Sequence, residues 1–365
     1  MIFDVLKLFA KLFLIITVLL TVFLYLLAIV LGPTLFYFTP QGLNASMLHL
    51  QDLPVWFFTI IGFNIPIEIG YGVIFLFLWS IFTLSFVAAW KLRENFHGVI
   101  RESIARPTEK LFSSCLFTMP IINSMTLIAV VAIQSLQEVG GIPTGTPPLP
   151  GEPFLDFFNL SYSAVVEEVG FRLIPIGAFL IIYLFITKKK VATFSLRQKM
   201  KLFFTAILFP DRAKRMVGAK TVDEYGVRGG INLGEWGMVL FTSIIFGLAH
   251  FLLGGSWEIG KIATATIAGL VLSLSYLVYG AQASIIMHWF FNAYTQSFVL
   301  VSEIYPVVSP FAIAITIISV ILGILGWLAA ATLGSLKLVR AIKERDENKQ
   351  DQATSSLPIS PRRDY

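Results

Sequence analysis

An all-α, polytopic integral membrane bundle of about eight transmembrane helices is the fold class this sequence predicts, and three observations point to it. Of the 365 residues, 56% are hydrophobic and 13% are charged, too little polar surface to cover a soluble globule of this length. The apolar residues gather in runs of about 20, the length that crosses a hydrocarbon core of roughly 30 Å at about 1.5 Å of rise per residue. Lysine and arginine collect beside alternate runs, as they do when one face of a bundle is cytoplasmic.

The first run, Leu12 to Leu31, follows Lys7 and Lys11. It is too long for a signal-peptide core and no small-x-small cleavage site follows, so it reads as an uncleaved helix. Residues 32–68 contain no Lys or Arg; within them Val55 to Ile67 is aromatic and apolar but broken by Gly62, Asn64 and Pro66, which predicts an interfacial or re-entrant segment. The second run, Ile69 to Trp90, leads into Lys91, Arg93, Arg101, Arg106 and Lys110. The third, Leu111 to Leu136, precedes a Pro- and Gly-rich loop without basic residues. The fourth, Phe154 to Thr187, opens into a basic loop, 188–235, in which Lys199 to Phe209 suits a helix lying on an anionic leaflet. The remaining runs are Trp236 to Leu253, Ile262 to Tyr279, Ala281 to Val301 and Phe311 to Leu333. Residues 1–336 therefore form the membrane domain and 337–365 a polar tail, disordered after Arg345.

All but two of the 27 Lys and Arg residues fall on one side of this arrangement, which puts both termini in the cytoplasm. The exceptions are Arg172 and Lys261. Because the basic residues flank spans, the partner they imply is a lipid bilayer and not nucleic acid. The single Cys115 excludes an internal disulfide framework and a Cys-x-x-Cys zinc site.

Three polar clusters interrupt the apolar runs, at a cost of roughly 2.5 to 3.5 kcal/mol for each charge held at the centre of a membrane helix. In the first, Glu168 and Arg172 are four apart and share a helix face, while Glu167 is turned about 100° from Glu168 and is free to face a cavity. In the others His250 follows Phe246 by four, and Asn292 follows His288 by four. Two imidazoles, a carboxylate and a carboxamide converging in an apolar bundle suit water activation and oxyanion stabilisation, that is, hydrolysis. Hydrogen bonding between helices accounts for any one of these groups, but not for adjacent glutamates, an arginine and two histidines together.

Glu-Glu-x-x-x-Arg, Phe-x-x-x-His and His-x-x-x-Asn, in this order between Phe154 and Val301, resemble the CPBP family of intramembrane endopeptidases, which includes type II CAAX prenyl endopeptidases and bacteriocin-processing or immunity proteins. The resemblance implies an endopeptidase in which Glu167 and His250 activate a water, His288 and Asn292 support the tetrahedral oxyanion, and Glu168 and Arg172 brace the first motif. It implies a peptide or protein substrate, prenylated in the best-known members. A zinc site with Glu167, His250 and His288 as ligands is the competing chemistry. Without a His-Glu-x-x-His motif, and with its ligands on three helices, zinc is disfavoured, and no cofactor is expected. An aspartyl mechanism lacks a second aspartate beside Asp156 within the runs, and a serine at Ser256 lies in an outer loop.

Two readings outside enzymology are a proton-coupled transporter, which would want matching charges in the first half of the chain, and a non-catalytic scaffold or immunity protein of the same fold. A shared site makes one geometric demand. Glu167 lies about 30 Å of helix from Lys188, His250 about 21 Å from Trp236 and His288 about 10 Å from Ala281, so tilt, stagger or different helix limits must level them.

Overall fold

The computed structural model describes residues 2–355. Seven helices among them are long and apolar enough to cross a membrane: Leu8–Phe38, Tyr71–Lys91, Cys115–Val139, Pro153–Thr187, Leu233–Leu253, Lys261–Tyr279 and Pro306–Ser335. These are the first to sixth and the eighth of the expected spans. The seventh is helical from Ala281 through Trp289, a π-turn at Phe290–Tyr294, and Thr295–Ile304, but it is less apolar than the rest. Every residue from Ala281 to Phe290 is buried. A helix surrounded by protein answers to its neighbours and not to lipid, so Gln282, Ser284, His288 and Asn292 can sit where a lipid-facing helix would carry Leu or Ile.

Aromatic packing holds this central helix. Trp289 meets Tyr25 at 5.6 Å and Phe86 at 5.2 Å between ring centroids, both edge-on, and Tyr25 meets Tyr294 at 4.7 Å. Such pairs contribute about 0.5 to 1.5 kcal/mol each beyond burial. Indole donors tie helices together elsewhere: the Trp79 Nε1–H bonds the Ile29 carbonyl at 2.7 Å, and the Trp327 Nε1–H the Met125 carbonyl at 2.8 Å. Between the fifth and sixth helices Gly247 permits close approach, since a Cβ there would lie 2.1 Å from Thr266 Oγ1 and 2.5 Å from the Ile262 carbonyl.

The segment expected to be re-entrant is instead β-structure. Strands β1 (His49–Leu50) and β4 (Ile69–Gly70) pair antiparallel, and between them β2 (Leu53–Phe58) and β3 (Ile61–Ile65) form a hairpin with Leu53 opposite Ile65. Gly62, Asn64 and Pro54 suit a short ribbon with free edges more than a buried loop. One partner of the hairpin tip follows from the fourth helix. At the π-turn Val169–Leu173 the Ile174 N–H bonds Val169, and Pro175 has no N–H, so the Gly170 carbonyl lacks a helical donor. The Thr59 N–H supplies it at 2.8 Å.

Short helices fill the basic loop. Leu196–Leu208 begins in a capping box of Ser195 and Gln198 and buries Leu202 and Ala206, while Phe204 and Met200 stay exposed, the two-faced pattern of an interfacial helix. Its far end caps the bundle: the Tyr276 hydroxyl bonds the Ile207 carbonyl at 2.6 Å. Lys214, almost fully buried, bonds the Gly230 carbonyl and pairs with Glu235 at 3.0 Å, and Glu235 also closes a capping box with Asn232 at the start of the fifth helix. The last helix continues as backbone to Ser355, past Arg345 where disorder is expected. Glu347, Lys349, Gln350, Gln352 and Ala353 of that stretch are good helix formers. Residues 356–365 lie outside the described residues.

Candidate active site

All three polar clusters meet, and the π-turns explain how. The fourth helix turns out of register just after Glu168, and the seventh does so around Asn292, so both present side chains that a regular helix would rotate away. The seventh helix starts buried under the loop helix Leu196–Leu208: at Gly280 a Cβ would lie 2.7 Å from the Leu208 carbonyl.

Glu168 and Arg172 are wholly buried, and Arg172 Nη1 donates to Glu168 Oε1 at 2.9 Å. The same oxygen takes a bond of 2.8 Å from His288 Nδ1, joining the fourth and seventh helices. A carboxylate only accepts, so Nδ1 carries the hydrogen and Nε2 is the nitrogen that faces outward. There it lies 3.5 Å from Glu167 Oε2. The guanidinium of Arg172 covers the face of Phe246, 4.1 Å from the ring centroid, and so engages the second motif as well.

His250 Nδ1 is 2.8 Å from the Phe246 carbonyl. By the same logic Nδ1 donates, and Nε2 is left as an acceptor in the neutral ring. Asn292 Nδ2 donates to the Leu160 carbonyl at 3.2 Å and to the Ser163 hydroxyl at 2.8 Å, which occupies both of its hydrogens on the fourth helix. The direct oxyanion contact expected of Asn292 would require breaking one of these bonds.

Glu167, His250, His288 and Asn292 line one cavity of about 280 Å³. The pair Glu167 and Glu168 is divided as helix geometry predicts: Glu168 is sealed against Arg172, whereas Glu167 keeps 21% of its side-chain surface exposed. Among the described residues Glu167 Oε2 has no hydrogen-bond partner. The walls also include residues not singled out from sequence as part of the site: Trp56 from the hairpin, Asn159 and Ser163 two turns and one turn before Glu167, Trp257 and Lys261. Asn159 and Ser163 fall at i−8 and i−4 from Glu167 on the same helix face, a spacing that was there to be read. Lys261 was marked by its place off the basic side. Trp56 carried no signal, because its approach depends on Gly170, where a Cβ would lie 2.7 Å from Trp56 Cβ.

Among the described residues no three His, Cys, Asp or Glu side chains are arranged to hold a metal ion.

A helical membrane bundle with carboxylates, imidazoles and a carboxamide gathered around one cavity in its core is the class that fold and site define. A family model described as type II CAAX prenyl endopeptidase Rce1-like matches residues 151–294, from just before the fourth helix to the π-turn of the seventh, and this Rce1-like domain agrees with the CPBP resemblance of the motifs. The matched residues contain Glu167, Glu168, Arg172, His250, His288 and Asn292, so over that segment the chain is similar to membrane proteases of the CAAX endopeptidase type. No curated protein and no solved structure matches the chain.

Proposed function

We propose that this chain is an intramembrane endopeptidase that hydrolyses a peptide bond with a water activated by Glu167, without a metal ion. The observation that carries this reading is the position of His288 between two carboxylates of opposite character, Glu168 sealed beside Arg172 and Glu167 open to the cavity.

In this mechanism Glu167 takes a proton from water as the oxygen attacks the substrate carbonyl, and His250 Nε2 accepts the second hydrogen and aims the lone pair. In the form that carries a hydrogen on both ring nitrogens, with Nδ1–H on Glu168, His288 donates Nε2–H to the developing oxyanion. Glu167 then returns its proton to the leaving amine as the C–N bond breaks. A positioned general base contributes about 10² to 10⁴ in rate, and an oxyanion donor about 10² to 10³, both strengthened by the low dielectric of a bundle core. Asn292 serves by fixing the fourth helix beside the seventh. The lining by Trp56, Phe171, Phe246 and Trp257 suits an apolar peptide.

The loop residues Pro147, Pro148, Gly254 and Trp257 that line the cavity belong to segments without basic residues. With the basic loops cytoplasmic, substrate enters from the opposite face. The family match supports a second reading of the substrate, a prenylated CAAX-type C-terminus; a prenylated and an unprenylated form of one peptide, offered to the purified protein, separate the two by which is cleaved.

Mass spectrometry of membrane peptides from cells carrying the parent chain or Glu167→Gln is the test. Fragments present only with the parent are expected. Identical peptide sets at equal expression would remove Glu167 as the base.

A further inference from the structure

Lys261 is the cation that the bundle does not use. It and Arg172 are the two basic residues off the basic side, and Arg172 is taken up by Glu168. Lys261 is the first residue of the sixth helix, the end where the helix dipole disfavours a positive charge. Its ammonium lies 3.7 Å from the centroid of the Trp257 ring and lines the same cavity as Glu167. Among the described residues that ammonium makes no hydrogen bond or ion pair, and no carboxylate lies within 4.0 Å of it.

The platform beneath it is fixed. Trp257 bridges to Gly145, the Glu258 N–H bonds the Thr144 carbonyl at 3.2 Å, and the Gly260 N–H bonds the Pro143 carbonyl at 2.9 Å. A long lysine stem ordinarily carries its charge out to water; this one holds it over an indole at the wall of the cavity. Glu167 in the same cavity offsets part of the cost of that cation, but among the described residues its three donors have no hydrogen-bonded protein acceptor.

We infer that Lys261, seated on Trp257, anchors a carboxylate of the substrate, either the C-terminus of the peptide or an acidic side chain near the bond to be cut. Resting on the endopeptidase reading, the anchor gives the cavity a polarity, with the anionic group at the Lys261 wall and the scissile carbonyl at Glu167 and His288.

The test measures binding on the Glu167→Gln protein, so that no probe is consumed. Three fluorescein-labelled pools of short peptides with randomised apolar positions serve as probes: one ending in a free carboxylate, one in a carboxamide, and one in a carboxamide with a single glutamate. The expected result is a Kd roughly ten- to a hundredfold lower for a carboxylate pool than for the plain carboxamide pool, the value of a charge-assisted hydrogen bond. The free-acid and glutamate pools tell which carboxylate is read. Adding Lys261→Met should erase the preference, and Lys261→Arg should keep it, which also guards against a folding defect. Equal binding of all pools before the lysine is changed, or a preference that survives Lys261→Met, would overturn the anchor. Failure of the endopeptidase reading appears separately, as pools that the parent protein leaves uncut.

Discussion

The two adjacent glutamates differ in what their loss should do. Glu168→Ala leaves the Arg172 guanidinium buried without a counter-ion, which typically costs about 3 to 5 kcal/mol. Thermal unfolding in detergent should fall well below the parent for Glu168→Ala and stay close to it for Glu167→Gln, whose side chain faces the cavity. Equal losses would mean that the two are not divided as the geometry has them. Asn292→Ala removes two bonds to the fourth helix, each worth about 0.5 to 1.5 kcal/mol, so stability and turnover should decline together. Were Asn292 a direct oxyanion donor, turnover would drop about 10² to 10³ with unfolding unchanged. At this scale much was legible in the sequence. The i,i+4 spacing of Glu168 and Arg172 foretold their pair at 2.9 Å. The pairing of Glu167 with His288 and not His250 was hidden, because it depends on where the seventh helix begins.

Among elements, the hairpin and the fourth helix depend on each other through Gly170. A Cβ at that position would lie 2.7 Å from Trp56 Cβ, so Gly170→Ala should lift the hairpin and open the cavity wall. Limited proteolysis between Phe57 and Ile61 is expected to quicken while the bundle stays helical by circular dichroism. Unchanged cleavage would show that the hairpin does not lean on the π-turn. Hydrophobicity marked the hairpin segment but misassigned it, since an apolar run of this length broken by Gly62, Asn64 and Pro66 has the composition of an interfacial loop. The basic loop carries its own switch. Burial raises the carboxyl of Asp223, but the Arg215 hydrogen bond and the Arg93 charge outweigh it and hold it below the ordinary 3.8. A carboxyl depressed on folding stabilises above its unfolded pKa and loses that contribution as pH falls through the folded one. Amide protection in 211–228, relative to the intrinsic exchange rate at each pH, should therefore fall as pH drops below the ordinary carboxylate range, and Asp223→Asn should lower it already at neutral pH.

The whole molecule was the most legible level, since hydropathy and charge asymmetry are properties of long windows. Of the eight expected spans, Ala281–Ile304 is the one among the described residues that is not apolar enough to cross a membrane by composition, and its first half is buried in the bundle. The orientation predicts that single cysteines at Gly151 or Ser256 react with a membrane-impermeant maleimide in intact cells, and one at Lys189 only after permeabilisation; Cys115 is buried and should stay silent. The reverse pattern would turn the cavity mouth to the cytoplasm. The central claim, a metal-free site in which Glu167 activates water, is tested most directly by purified protein stripped with a chelator and shown metal-free by elemental analysis. Cleavage of a peptide found in the membrane comparison should persist in this protein and vanish in Glu167→Gln. Activity that disappears on stripping and returns with zinc, or that survives Glu167→Gln, would contradict the account.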